Sequence, residues 1–178
     1  FKCDALICSG YKWLGGHGGV GLAVLSNELI KSTPLMPGWM GARNPFDISH
    51  QELDLAEGAK RFTQSTMSYI SLKGLEVSIQ EILKIGVDNI DNHAQRLKRY
   101  FLSHLNKSNF QTFHQKNIPT SSHIVSIFDP KKNISRVAKL LSKNNIFCSI
   151  RNGYLRVSFA HYNNQSDIDK LLSILKED

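Results

Sequence analysis

The 178-residue sequence predicts a mixed α/β protein, and three observations carry that expectation. Apolar runs of strand length occur at Phe1–Ser9, Val20–Leu25, His123–Phe128 and Tyr154–Phe159. Longer stretches between them repeat apolar residues at three- and four-residue steps, the period of a helix with one buried face. Asn152-Gly153 separates two alternating runs, which is the strongest short-range sign of a hairpin.

Taken in order, Phe1 to Ser9 is mostly apolar with weak alternation, the pattern of a strand buried in a sheet. A glycine-rich turn leads to the second run, Val20 to Leu25. Pro34, Pro37 and Pro45, with Gly38 and Gly41, make the stretch from Asn27 to Asp47 a long surface loop. Gln51 to Arg61 reads as helical, with Leu53, Leu55, Ala56 and Ala59, until small hydroxyl residues interrupt it. Helical spacing resumes at Ile70 and stops at Gly86. Ile90, Ala94, Leu97, Phe101 and Leu105 then mark an amphipathic helix over Val87 to Leu105.

The remainder predicts strands at Phe110–Phe113, His123–Phe128, Ile146–Ile150 and Tyr154–Phe159, with a helix at Ile134–Lys143. A last helix is expected to start at Ser166 as N-cap, with Asp169 completing a capping box.

Composition narrows the class. Hydrophobic residues are 41% and charged residues 21%, ordinary values for a folded globular chain. The 22 Lys and Arg against 15 Asp and Glu leave +7, but the surplus is dispersed, so no basic stripe points to nucleic acid. Cys3, Cys8 and Cys148 show no C-x-x-C spacing, which argues against a disulfide or zinc framework and for a reducing, cytoplasmic setting. His50, His93, His104, His114, His123 and His161 lack ligand spacing, so no metal is expected. No apolar run approaches the ~20 residues that span a bilayer, so no membrane partner is expected. The sequons at 106–108 and 133–135 carry no weight without a secretory context. Because the chain opens on Phe1 within a strand-like run, it is read as a fragment whose upstream part is missing.

The chemistry is concentrated in Ser9-Gly10-Tyr11-Lys12-Trp13-Leu14-Gly15-Gly16 and the glycines that follow. A lysine at a strand end, walled by aromatics and partly dried, can lose its proton near neutral pH and attack a carbonyl. Gly16 to Gly21 formally matches the dinucleotide G-x-G-x-x-G, but that site needs a helix directly after the glycines, and a short strand is expected instead. Lys12 precedes the glycines, which excludes a Walker A loop.

The segment from Cys3 to Gly16 resembles the internal-lysine signature of the class V aminotransferases, fold-type I enzymes of pyridoxal 5′-phosphate (PLP). Gly38-Trp39, Arg61-Phe62-Thr63-Gln64-Ser65-Thr66 and Leu155-Arg156-Val157-Ser158 with Tyr162-Asn163 resemble further family segments, in the family's order. The resemblance implies the end of a fold-type I large domain with the interdomain helix over 1–85 and a small C-terminal α/β domain over 86–178. It makes Lys12 the lysine that forms a Schiff base with PLP and moves the α-proton. Ser9 and Tyr11 match phosphate-binding positions, and hydroxyl donors suit a dianion. Thr66 matches a threonine that reaches the phosphate of a neighbouring subunit, which implies a homodimer with shared sites. Arg156 matches the arginine that clamps the α-carboxylate of a small amino-acid substrate. Strand alternation independently places Arg156 with Tyr154 and Ser158, opposite Leu155, Val157 and Phe159.

The departures shape the alternatives. The family's phosphate turn, ring-stacking residue and pyridinium aspartate would precede Phe1, so the segment alone is expected to be inactive. Cysteine desulfurases carry a nucleophilic cysteine in the span matching Arg151 to Arg156, where this chain has none, and Cys148 reads as a small buried hydrophobe. Ser65 replaces a family glycine. Transamination on a small amino acid is the primary reading. The others are a desulfurase-like or kynureninase-like lyase, and a non-catalytic homologue serving as a dimerisation or binding module. A nicotinamide enzyme is the third class. Among the bland readings, Thr66 caps the helix that follows it and Arg156 is a structural ion-pair partner.

Overall fold

A computed structural model describes residues 3–47, 49, 52, 54–105, 109–113 and 122–177 of the chain. Phe1, His50, Gln51, Leu53, the 106–108 sequon and His114 lie outside the described residues. The chain divides into two compact units, Phe1–Lys84 and Ile85–Asp178. No helix among the described residues is long and apolar enough to cross a membrane.

In the first unit, β1 (Ala5–Ser9) pairs antiparallel with β2 (Gly21–Leu25), from Ala5 opposite Leu25 to Ser9 opposite Gly21. The burial expected of β1 is not met: Ile7 is 78% and Leu6 50% exposed, and Val24 on β2 is 57% exposed. The two strands form a sheet of their own, and a two-stranded ribbon cannot bury both of its faces.

The loop beyond β2 contains short 3₁₀ turns at Leu29–Lys31 and Trp39–Gly41. The helix expected from Gln51 to Arg61 is corrected to a 3₁₀ turn at Gly58–Phe62 alone. Ahead of it, residues 54–56 are held extended by a distant segment. The Arg43 amide donates to Asp54 O at 2.9 Å, the Ala56 amide donates to Gly41 O at 2.8 Å, and Leu55 bridges to Ala42. Backbone pairing across the loop thus overrides a weak helical pattern. Helix α1 (Tyr69–Ile85) follows, with Ser71, Leu75 and Ile82 on its buried face.

In the second unit, α2 (Val87–Leu105) buries the expected stripe of Ile90, Ala94, Leu97, Phe101 and Leu105. The sheet is antiparallel in the order β3 (Gln111–Thr112), β4 (Ile124–Phe128), β6 (Tyr154–Ser158), β5 (Ser149–Arg151). Arg151 pairs with Tyr154 across a two-residue turn in which Asn152 has φ 48° and Gly153 φ 79°. Both central residues are left-handed, as a type I′ hairpin requires.

Helices α3 (Ile134–Lys143) and α4 (Gln165–Glu177) complete the unit. The α3 start is capped by the Asn133 side chain, which accepts from the Ser135 and Arg136 amides. The expected α4 cap is corrected. Asn164 and Asp167 exchange the reciprocal bonds, the Asn164 amide to Asp167 Oδ2 at 3.0 Å and the Asp167 amide to Asn164 Oδ1 at 3.3 Å. Asp169 instead accepts from the Tyr100 hydroxyl at 2.6 Å.

Val125 and Ile127 of β4, with Leu155 and Val157 of β6, form one core with apolar residues of α2, α3 and α4. The helices therefore cover one face of this sheet. Phe101, fully buried, meets Phe159 with ring centroids 5.6 Å apart. Phe101→Ala is expected to cost about 3–5 kcal/mol in denaturant unfolding, against less than about 0.5 kcal/mol for Tyr162→Ala at the surface. Equal effects of the two would contradict this core.

Candidate functional site

The glycine turn is built from the end of β1. The Gly10 amide donates to Val20 O at 2.8 Å and closes the β1–β2 ribbon. The Gly16 amide donates to Gly10 O at 2.8 Å and the Gly15 amide to Lys12 O at 3.0 Å, so residues 10–16 fold back on themselves with Lys12 in the loop. Gly15 has φ 67°, a left-handed conformation that favours glycine.

Three residues of α1 lie along this turn. A Cβ at Gly16 would fall 3.0 Å from Leu75 Cα, so a larger residue there would push the turn and α1 apart. The Ser78 hydroxyl donates to Leu14 O. Ser71, 3% exposed, has its hydroxyl 3.3 Å from His17 Nδ1 and 2.9 Å from the Ser68 hydroxyl. The sequence patterns do not single out this face of α1. The available signal was the spacing of Ser71, Leu75 and Ser78, which puts all three on one side of a helix.

Ser9, Tyr11 and Lys12 are thus grouped on one turn. Ser9 is half-buried, whereas Tyr11 and Lys12 are exposed. Lys12 Nζ lies 5.7 Å from the centroid of the Tyr11 ring, within cation–π range. The drying expected around Lys12 is not supplied by these residues, because Tyr11 and Trp13 are themselves 57% and 47% exposed. Among the described residues neither the Ser9 nor the Tyr11 hydroxyl is hydrogen bonded, and Lys12 makes no ion pair.

Thr66 is exposed in the extended stretch ahead of α1. It does not cap that helix, which begins at Tyr69 directly after Ser68, and the Leu72 amide bonds to Ser68 O at 3.0 Å. The segment leading to Thr66 is fastened to the proline loop. A Cβ on Gly38 would overlap the Gln64 backbone, and Arg61 donates to Ala56 O at 3.1 Å and Lys31 O at 3.0 Å. The Gly38-Trp39 and Arg61–Thr66 segments, 20-odd residues apart in sequence, are therefore one packed assembly.

Arg156 belongs to the second unit, on the face of β6 turned away from its helices. Its register partners are Ser126 on β4 and Ser149 on β5, two small hydroxyl residues that leave a long side chain room to extend. Arg156 makes no ion pair among the described residues, so the structural-partner reading finds no acid here. A depression of about 410 Å³ in this unit is lined by Cys148, Val157, Phe159, Tyr162, Ile168 and Leu171 among others, and by none of the five expected site residues. Burial pushes the Cys148 thiol up to about 11, the opposite of an activated nucleophile.

The family model for aminotransferase class-V matches residues 1–171. This chain belongs to the class V aminotransferase family. A probable cysteine desulfurase of Pyrococcus abyssi is 25% identical to this class V chain over 189 residues, covering 99% of it and 47% of the relative. The chain thus spans about half the length of the curated relatives it matches. Its fold superposes on the apo cysteine desulfurase of Thermococcus onnurineus with a TM-score of 0.84 at 24% identity, covering 98% of this chain and 46% of that one. The cystine C-S lyase C-DES, solved with its product cysteine persulfide, gives 0.82 at 20% identity, covering 95% and 45%. The fold is that of the fold-type I PLP enzymes.

The raised Cys148 pKa has a definite sign. The unfolded thiol ionises near 9.0 and the folded one near 11, so the stability from burying the neutral thiol is complete below about pH 9 and is lost as pH rises through about 11. Urea unfolding from pH 8 to 11 is expected to show this falling limb, and Cys148→Ala to flatten it. A limb unchanged by the substitution would contradict the burial of this thiol.

Proposed function

We propose that this chain is the lysine-bearing part of a PLP enzyme that acts on a small amino acid, with Lys12 as the residue that engages the cofactor. The observation that supports it best is the turn itself. A hydroxyl, a phenol and an amine lie within four residues, none of them engaged by a hydrogen bond or ion pair elsewhere in the described chain. That donor set fits an aldehyde-bearing phosphate monoester, since hydroxyls donate to phosphate oxygens and an amine condenses with an aldehyde.

When bound, PLP supplies an electron-withdrawing ring that makes the substrate's Cα–H acidic. Ser9 Oγ and Tyr11 Oη then hold the phosphate by donating to its oxygens. Lys12 Nζ takes and returns the proton at Cα. The Thr66 hydroxyl serves the phosphate of a second copy's site, which makes the working form a homodimer. Arg156 is the group proposed to bind the substrate α-carboxylate, through two parallel hydrogen bonds from its guanidinium.

A desulfurase-like reaction is the second reading, favoured by the names of the relatives. The two-residue turn at Asn152-Gly153 and the deactivated Cys148 count against a persulfide-carrying cysteine within this chain. Product analysis with cysteine separates the two, since transamination yields a keto acid, whereas desulfuration yields alanine and persulfide-level sulfur, which is released as sulfide only when a thiol reductant is added.

The longest natural chain containing these residues, incubated with PLP and then borohydride, is expected to carry the cofactor on the Lys12 peptide, and Lys12→Ala to carry none. A reducible chromophore that survives Lys12→Ala would remove Lys12 from its role. Arg156→Ala is expected to raise KM for the amino acid about 100-fold, since losing one member of a charge-assisted pair costs about 2–3 kcal/mol. An unchanged KM would return Arg156 to a structural role.

A further inference from the structure

The Lys12 turn and α1 are linked by more than sequence-local contacts. Ser71, Leu75 and Ser78 follow one another at steps of four and three residues, so they form one stripe along α1. Each meets a different point of the turn. Ser78 donates to the Leu14 carbonyl, two residues past Lys12. Leu75 lies under both Gly10 and Gly16, where an added Cβ would approach its Cδ1 to 3.2 and 2.9 Å. Ser71 reaches His17, just beyond the turn, and is itself held by Ser68.

We infer that this stripe is the seat of the Lys12 turn, with Ser78 and Ser71 as positioning residues that determine how the lysine amine is presented. The inference rests on the reading of Lys12 as the cofactor lysine for its functional consequence, though not for the seat itself. A loop containing Gly10, Gly15 and Gly16 gains backbone options that other residues lack. Internally, two amide bonds restrain it, from Gly16 to Gly10 and from Gly15 to Lys12. A helix is the rigid partner available to these glycines, and their missing side chains are what let it approach. The Ser78 hydroxyl binds the carbonyl of Leu14, whose peptide plane leads into Gly15, so it acts on the residue with the most freedom to turn. Ser71 is buried and its hydroxyl is spent on Ser68 and His17, which fixes the far end of the same loop. An Ala at either serine leaves helix propensity intact, so its effect falls on the turn.

The test compares wild type, Ser78→Ala and Ser78→Thr in the longest natural chain containing these residues. Two readouts are taken. The first, without cofactor, is hydrogen exchange at the Gly15 and Gly16 amides. Losing the Ser78 bond is expected to speed both about tenfold, with β2 amides unchanged, while threonine, which keeps the hydroxyl, restores them to within about twofold. The second is the rate of PLP attachment to Lys12 after borohydride, expected to fall about tenfold in Ser78→Ala relative to other lysines. Ser71→Ala is expected to act in the same direction, so the result does not hinge on one variant.

Exchange at Gly15 and Gly16 that does not differ between wild type and both alanine variants overturns the seat. Faster exchange with an unchanged Lys12 attachment rate overturns the positioning role. Faster exchange in a protein whose wild-type Lys12 never carries PLP supports the seat and defeats the cofactor reading, so the two failures are told apart.

Discussion

The close approach of the glycine turn to Leu75 is the constraint on which the rest of the first unit depends. Gly16 comes so near α1 that an added Cβ would crowd Leu75 Cα at 3.0 Å and force one of the two to shift. The β1–β2 ribbon delivers the turn to that contact through the Gly10 to Val20 bond, and the serines on either side of Leu75 hold its two ends. The role proposed for Lys12 needs its amine to return to one place, and backbone confinement of this kind reduces the number of places available.

The second unit works by a different logic. Its helices cover one face of a four-stranded sheet, so the alternation of β6 puts Leu155 and Val157 in the core and leaves Arg156 on the other face. Its register partners on both neighbouring strands are serines, and it makes no ion pair among the described residues. The core thereby determines the direction of the arginine without touching its charged end, as expected when a rigid scaffold carries a binding group.

Much of this was legible in the sequence where the pattern was long and local. Helix α2 repeats its apolar stripe over about four turns, and Asn152-Gly153 admits few alternatives to a tight hairpin. Family membership was legible because four short segments occur in one order. What was not legible depends on partners distant along the chain. Residues 54–56 look helical in isolation and are extended because residues 41–43 pair with them. The cap of α4 was misplaced by two residues because Asn164 and Ser166 are both good caps and only the geometry chooses. The exposure of β1 was missed because an apolar strand does not state which surface covers it. The α1 stripe was missed because two serines among apolar residues look like dilution of a hydrophobic face.

Presentation of Lys12 to the cofactor from a seated turn is the central proposal. A crystal structure of the longest natural chain containing these residues, grown with PLP, tests this most directly. The account predicts continuous density from Lys12 Nζ to the cofactor, with the phosphate against Ser9 and Tyr11 and with Ser78 still bonded to the Leu14 carbonyl. Density joining the cofactor to another lysine, or a turn lifted off α1 with the cofactor in place, would contradict it.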